Sequence, residues 1–166
     1  MAKNIVLIGM SGCGKTSIGE MLARKLNYEF VDTDEVVESF GMTIKELFES
    51  GEESFRCVET MAVKQVSSYE DAVISTGGGI VTINENMEYL KRNSVIVFII
   101  RDIMRIKKSL EKERDTRPLL SDDDAIDMLY AQRLHLYEEY ADLTVENNGS
   151  IYKTCDEIIN KFKEIE

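Results

Sequence analysis

Hydrophobic and polar positions alternate along the chain with two different periods, and together they predict a series of strand–helix pairs. Short β-branched apolar runs, at residues 5–8 and 95–100, predict buried strands. Elsewhere apolar residues recur at helical spacing, as Ile18, Leu22 and Leu26 do. The predicted elements are strand 4–8, helix 15–26, strand 28–32, helices between 34 and 67, strand 72–76, helix 84–92, strand 94–100, helix 102–111, helix 123–140, strand 142–146 and a final helix from 152. This alternation predicts an α/β fold with a parallel sheet covered on both faces.

Composition narrows the class of protein further. The 166 residues suit one domain, 1–166, and no apolar run approaches the roughly 18 residues that span a membrane. A net charge of −11 argues against a nucleic-acid surface. The N-terminus lacks a secretion signal and three cysteines are widely scattered, which is typical of reduced thiols in the cytoplasm. Because no spare apolar surface is evident, we expect a monomer.

Residues 9–16 read Gly-Met-Ser-Gly-Cys-Gly-Lys-Thr and match the pattern G-x-x-x-x-G-K-[ST] between a predicted strand and a predicted helix. Glycines let successive backbone N–H groups face an anion at the start of the helix. Lys15 can reach the β- and γ-phosphates of a nucleotide, and the Thr16 hydroxyl can ligate Mg²⁺. This context favours a phosphate-binding loop over a glycine-rich turn that only ends a strand.

Asp32 and Asp34 follow the second predicted strand, where ligands of open α/β sheets bind. Two carboxylates one residue apart can hold Mg²⁺, directly or through water, and contact a substrate hydroxyl. The alternative is helix capping, which needs only one carboxylate. We therefore favour the metal and substrate roles.

Two further motifs could contact a small ligand. Arg56 and Glu59 share a helix face, either as a solvated surface pair or as a guanidinium that Glu59 orients toward a substrate carboxylate. Residues 77–79 are three glycines at a strand end. They form either a flexible turn or, as we favour, bare backbone that a ligand can approach closely.

The polar segment at about 112–124 predicts a lid that carries Arg117 over the phosphates, with an ordinary exposed loop as the alternative. In the helix that follows, Arg133 is either a second anion ligand or a surface charge. Leu134 and Tyr137 are expected to pack in the core. His135, the only histidine, is expected to lie at the surface or to serve packing, without a catalytic role.

In order and spacing, these motifs resemble the shikimate kinase family over essentially the whole chain. They are the phosphate loop, Asp32-Thr33-Asp34, Phe55-Arg56-x-x-Glu59, the triple glycine, Arg117-Pro118-Leu119-Leu120, and Arg133 ahead of Leu136-Tyr137. The resemblance implies a three-layer P-loop kinase fold, similar to nucleoside-monophosphate kinases, with a five-stranded parallel sheet in the order 2-3-1-4-5. It also implies ATP-dependent phosphorylation of the 3-hydroxyl of shikimate to shikimate 3-phosphate, in aromatic amino-acid biosynthesis.

The resemblance further implies a role for individual residues. The implied ATP ligands are Gly12, Cys13, Gly14, Lys15, Thr16, Ser17 and Arg117. One Mg²⁺ per subunit is expected to bind to Thr16 and Asp32. The implied shikimate ligands are Asp34, Arg56, Gly78, Gly79 and Arg133. Lys15, Asp34 and Arg117 are the implied catalytic residues, and Glu59 orients Arg56. The substrate-binding helices are expected at about 33–60. Asp34 either abstracts a proton or only orients the hydroxyl.

Three points depart from the family pattern or stay open. His135 stands where many members carry proline, and Cys13 where a smaller or hydroxyl residue is usual, with its thiol expected to point away from the ligand. The contacts to adenine are expected from Lys108, Lys112 or Arg114, and the residues from Asn147 onward are expected at the border of the adenine ring.

Two functions are alternatives to a shikimate kinase: a kinase of gluconate or another polyhydroxy acid, and a non-catalytic sensing module. The triple glycine with Arg56 and Arg133 favours a cyclic carboxylate, and Arg117 favours an enzyme.

Overall fold

A parallel sheet of five strands forms the centre of the protein, whose computed structural model describes residues 3–165. The strands are β1 (Asn4–Ile8), β2 (Glu29–Asp32), β3 (Ala72–Ser75), β4 (Ser94–Ile100) and β5 (Leu143–Glu146). Their order in the sheet is β2-β3-β1-β4-β5 and every neighbouring pair is parallel. Helices cover both faces. The predicted α/β architecture and the strand order implied by the family resemblance are therefore confirmed.

Eight α-helices lie within the described residues. They are α1 (Lys15–Leu26), α2 (Thr33–Ser39), α3 (Ile44–Glu49), α4 (Glu52–Val66), α5 (Asn84–Lys91), α6 (Ile103–Leu110), α7 (Asp123–Tyr140) and α8 (Ile151–Ile165), with short 3-10 turns at Ile80–Thr82 and Pro118–Leu120. The predicted boundaries differ from these by no more than one residue. At α6, for example, the predicted first residue Asp102 instead caps the helix, because its side chain accepts from the Met104 N–H at 3.2 Å. None of these helices is long and apolar enough to cross a membrane.

The central strands are buried on both faces, as the uninterrupted apolar runs predict. Residues 5–8 of β1 have no exposed surface. Asn4 begins this strand and is also buried, since its side-chain amide donates to the Tyr69 carbonyl at 2.7 Å and its side-chain oxygen accepts from the Ala72 N–H at 3.0 Å. This side chain fastens the start of β1 to that of β3.

Sheet register brings the chemistry-bearing segments to one edge. Asp32, at the end of β2, is paired with Ser75 at the end of β3, and Ser75 is paired with Leu7 of β1. The phosphate loop, the two aspartates and the glycine triplet therefore begin side by side at the carboxyl ends of three adjacent strands.

Helices α2, α3 and α4 pack around a second, smaller core. Its buried members are Val37, Leu47, Phe55 and Ala62, and the rings of Phe48 and Phe55 stack with centroids 4.6 Å apart. This core holds the helices of the predicted substrate-binding region, 33–60, as one unit beside the edge of the sheet.

Candidate active site

The phosphate loop is a strained backbone turn between β1 and α1 that requires its glycines. Gly9, Gly12 and Gly14 have φ values of 143°, 82° and 102°, a region that residues with a side chain rarely adopt. A side chain would also have no room at Gly9, because a Cβ there would lie 2.7 Å from the Ile99 carbonyl oxygen. The motif therefore forms the loop between strand and helix that the sequence predicts, and α1 begins within it at Lys15.

Lys15 lies inside the curve of this loop. Its side chain is buried, and Nζ donates to the carbonyl oxygens of Gly9 at 2.7 Å and Met10 at 2.9 Å. The Cys13 sulfur is 3.7 Å from the same Nζ and is fully buried, so this side chain does not line the cleft above the loop. The ammonium group is thus held by carbonyl dipoles at the centre of the loop.

A cleft of about 780 Å³ opens above the loop. It is lined by Ser11, Gly12, Gly14, Lys15, Thr16, Ser17, Asp32, Asp34, Ser75, Thr76, Gly77, Gly78, Arg101, Ser109, Glu113 and Arg117. Lys108 and Lys112 are exposed elsewhere and Arg114 pairs with Asp123, so none of the three adenine candidates lines it. Sequence analysis missed Arg101, whose Nη1 donates to the Gly12 carbonyl at 2.8 Å and to Ser109 Oγ at 3.0 Å.

Thr16 and Asp32 meet at the floor of this cleft. The Thr16 hydroxyl donates to Asp32 Oδ2 at 3.4 Å, while Asp32 Oδ1 accepts from the Asp34 N–H at 2.9 Å and caps α2. The same carboxylate therefore caps α2 and lines the cleft. Burial, and then the neighbouring charge of Asp34, raise the pKa of Asp32.

A hydroxyl beside a carboxylate fits a magnesium ion. Both are hard oxygen donors, and a dication would relieve the repulsion between Asp32 and Asp34. Within residues 3–165 no group of three or more His, Cys, Asp or Glu side chains could hold a metal. A Mg²⁺ here would therefore keep several waters or phosphate oxygens as ligands, as Mg²⁺ usually does.

A second cleft, of about 440 Å³, adjoins the first. The two share Ser11, Asp34, Gly77, Gly78 and Arg117. The remaining lining residues of the second cleft are Ile44, Phe48, Phe55, Arg56, Glu59, Gly79, Pro118, Leu119, Leu120 and Arg133. One side is thus apolar and the other carries cations, which suits a compact ring with an anionic substituent.

Arg56 and Glu59 form the ion pair that their spacing predicts, and the pair is buried. The Arg56 Nη1 lies 2.9 Å from Glu59 Oε1, and the side chains are 11% and 1% exposed. Burial raises the pKa of Glu59, opposed first by the charge of Arg56. Arg56 also reaches Glu52 at 3.2 Å through Nη2. The solvated-surface alternative does not fit a pair so far from water.

Arg133 enters the same cleft from α7. It is 6% exposed, and no carboxylate of residues 3–165 lies within 4 Å of its guanidinium. A buried cation with no carboxylate in direct contact is costly unless a ligand supplies the negative charge. This arrangement favours the anion-ligand interpretation of Arg133 over a surface charge. His135, two residues later, is exposed.

Residues 77–79, here called the glycine loop, let these side chains approach the backbone closely. A Cβ at Gly79 would lie 2.7 Å from Arg56 Cζ, and one at Gly77 would lie 3.1 Å from Asp34 Oδ1. All three glycines are buried. The triplet is therefore buried backbone in close contact with side chains that line the clefts, which does not fit a flexible turn.

The polar segment 112–124, for which a lid is predicted, places Arg117 at the junction of the two clefts. Its Nε lies 3.0 Å from Glu113 Oε2 and its Nη2 lies 3.3 Å from Asp34 Oδ2. Leu119 and Leu120, in the short 3-10 turn that follows, cover the second cleft. Leu119 and Leu120 were predicted only as part of the Arg117-Pro118-Leu119-Leu120 motif, without a role of their own. Ile44 and Phe48, which line the same cleft, were not predicted, because they belong to no motif.

Comparisons with known proteins agree with this geometry. The family described as shikimate kinase matches residues 11–163. A shikimate kinase of Clostridium botulinum is 40% identical over 167 residues, 99% of this chain and 98% of that protein. One of Caldicellulosiruptor bescii is 51% identical over 126 residues, 75% of this chain and 73% of that protein. The solved shikimate kinase of Acinetobacter baumannii, in complex with shikimate, superposes with a TM-score of 0.94 at 32% identity and covers 100% of this chain and 96% of that one.

Proposed function

The chain belongs to the shikimate kinase family, and from that premise we propose how its two adjoining clefts carry out phosphoryl transfer. The protein is a small-molecule kinase that phosphorylates shikimate with ATP in aromatic amino-acid biosynthesis. The proposed acceptor is the 3-hydroxyl. The assignment of residues rests on the junction of the two clefts, because Asp34 and Arg117 line both of them.

In the first cleft, the proposed ligands of the ATP phosphates are the backbone N–H groups of residues 12–17 and the Lys15 ammonium. Lys15 is already at the centre of the loop, held by two carbonyl oxygens. Phosphate oxygens offer it a stronger, charged acceptor. Cys13 takes part through its backbone, since its side chain is buried away from the cleft.

Thr16 and Asp32 would hold one Mg²⁺, Thr16 through its hydroxyl and Asp32 directly or through water. When bound, the ion neutralises charge on the β- and γ-phosphates. Support for this placement comes from the 3.4 Å contact between the Thr16 hydroxyl and Asp32 Oδ2.

In the second cleft, Arg56 and Arg133 bind the carboxylate of shikimate. Glu59 fixes one edge of the Arg56 guanidinium and leaves other N–H groups for a charge-assisted contact with the ligand. The apolar side chains of Phe48 and Leu119 cover the ring, and the backbone of Gly78 and Gly79 contacts its hydroxyl groups. These contacts hold the acceptor hydroxyl in line with the γ-phosphoryl group.

At the junction, Asp34 accepts a hydrogen bond from the 3-hydroxyl and Arg117 moves from Asp34 to the transferring phosphoryl oxygens. Phosphoryl transfer has a loose transition state in most analyses, so the proton leaves the hydroxyl late. We therefore assign Asp34 mainly to orienting the hydroxyl. Arg117 and Lys15 stabilise the charge that develops on the phosphoryl oxygens.

Every residue in this proposal comes from one chain, which supports a monomer as the working unit. We also propose the cytoplasm as its location, in keeping with three cysteines that are all free thiols in the structure.

The test is a coupled assay of ADP release with Mg-ATP, offering shikimate and gluconate separately. We expect turnover with shikimate, and a rise of about a hundredfold in its KM in Arg56→Ala, because one charged clamp residue is lost. Arg105→Ala is the matched control, since Arg105 is exposed and lines neither cleft. Turnover with gluconate alone would contradict the substrate assignment. ATP binding without turnover of either acid would favour the sensing module.

A further inference from the structure

Tyr137 is buried in the core, yet its hydroxyl contacts the glycine loop. The ring has no exposed surface and stacks on Phe98 of β4 with centroids 5.1 Å apart, as a packing residue does. Its Oη also donates to the Gly78 carbonyl oxygen at 2.5 Å. Within residues 3–165 that carbonyl has no other donor. The hydroxyl is therefore the group that sets the orientation of this carbonyl.

Orienting the Gly78 carbonyl also orients the next N–H. In a planar trans peptide the C=O of one residue and the N–H of the following residue point in opposite directions. The Gly78 carbonyl points to Tyr137, so the Gly79 N–H points away from it, and both glycines line the substrate cleft. This N–H has no acceptor among the described residues, which leaves it available to a ligand oxygen.

Tyr137 is also tied to the cationic side of the cleft. Arg133 lies one helical turn earlier on α7, so the two side chains share a face. The Arg133 guanidinium also lies beside Gly78, since a Cβ at Gly78 would be 3.4 Å from its Nη1. Burial raises the pKa of Tyr137, with the charge of Arg133 as the main opposing influence, and the phenol stays a protonated donor throughout the working pH range.

We propose that the Tyr137 hydroxyl is a positioning residue for shikimate, because it fixes the Gly78–Gly79 peptide relative to Arg133. The two ligand-binding groups, the Gly79 N–H and the Arg133 guanidinium, then keep the spacing that one substrate molecule requires. The other bonds of the glycine loop, from Gly77 N–H to Thr33 Oγ1 at 3.3 Å and from Thr82 Oγ1 to the Gly79 carbonyl at 2.7 Å, do not orient this peptide. The inference rests on the proposed assignment of the second cleft to shikimate.

The experiment is Tyr137→Phe, which removes one oxygen and keeps the ring. We expect the KM for shikimate to rise about tenfold, which corresponds to the free energy of one buried hydrogen bond. The KM for ATP should stay within about twofold of the wild-type value and kcat within about threefold. Tyr140→Phe is the matched control. It lies on the same helix and loses a bond of similar length, 2.7 Å to Asn84 Oδ1, outside both clefts. Its kinetic constants should match those of the wild type.

A second variant separates positioning from packing. Phe98→Leu weakens the ring stack and keeps the hydroxyl, so it should lower the thermal midpoint without the tenfold change in KM for shikimate. The inference is overturned if Tyr137→Phe leaves that KM within twofold, raises both KM values together, or does not fold. It is also overturned if Phe98→Leu reproduces the KM change. Absence of shikimate turnover in the wild type would instead reject the proposed function.

Discussion

The two ends of the active site are built in different ways. At the nucleotide end, most of the expected phosphate ligands come from one continuous stretch, residues 12–17, and are backbone N–H groups. The substrate end is assembled from side chains of α2, α3, α4, residues 117–120 and α7 and from the backbone of the glycine loop. These segments are far apart in the sequence. A phosphate can be recognised by a local turn of the backbone, whereas a carboxylate on a ring needs side chains that only the fold brings together.

The two ends also handle charge differently within a chain whose net charge is −11. At the nucleotide end, Lys15 is held by carbonyl dipoles. At the substrate end, Arg56 and Arg117 are each paired with carboxylates of the protein, and Arg133 is left for the ligand. Changes at one end should therefore affect one substrate and spare the other, which makes the comparison testable.

The largest effect is expected at the nucleotide end. Lys15→Met removes the cation at the centre of the loop, and kcat with Mg-ATP should fall about a thousandfold, because charge on the transferring group loses a direct stabilising contact. Shikimate binding, measured by titration calorimetry without nucleotide, should be unchanged. Lys25→Met, on the same helix but paired with Asp156 away from the cleft, is the control. Weakened shikimate binding in Lys15→Met would show that the two ends are not independent.

Most of the fold could be predicted from the sequence because its signals are local. The β-branched runs of the central strands and the spacing of Ile18, Leu22 and Leu26 identify buried elements, and all five strands lie where they were expected. The order of the strands could not be predicted from local signals, because it depends on the crossover connections between the strands. It came from the family resemblance and was confirmed by the sheet.

The candidate site was predictable only in part, and the reason follows from the contrast between its two ends. Residues 9–16 identify the phosphate loop without any knowledge of the fold. The spacing of Arg56 and Glu59 predicts a pair but not its burial, which depends on packing of α4 against the glycine loop. Tyr137 was recognised as a core residue, but the contact of its hydroxyl with Gly78 joins residues 59 positions apart and leaves no local signal.

A smaller effect, confined to the substrate end, is expected for Gly79→Ala. The added methyl group would overlap the Arg56 guanidinium, 2.7 Å from Cζ, and displace the carboxylate clamp. The KM for shikimate should rise about a hundredfold while the KM for ATP changes less than about threefold. Gly149→Ala is the control, because a Cβ there meets nothing within 4 Å. An equal rise in both KM values would contradict the separation of the two ends.

The smallest effect is expected from a change at Glu59, which tests how the Arg56 guanidinium is oriented. Burial raises the pKa of Glu59, and Arg56 opposes the rise, so the carboxylate gains its proton at a higher pH than an ordinary glutamate. As pH falls through that pKa the charge that orients Arg56 is lost, and the KM of the wild type for shikimate should rise. Glu59→Gln should have a KM about fivefold higher at pH 8 and should lack this acid limb. Parallel pH profiles for the two proteins would show that Glu59 acts through packing and not through its charge.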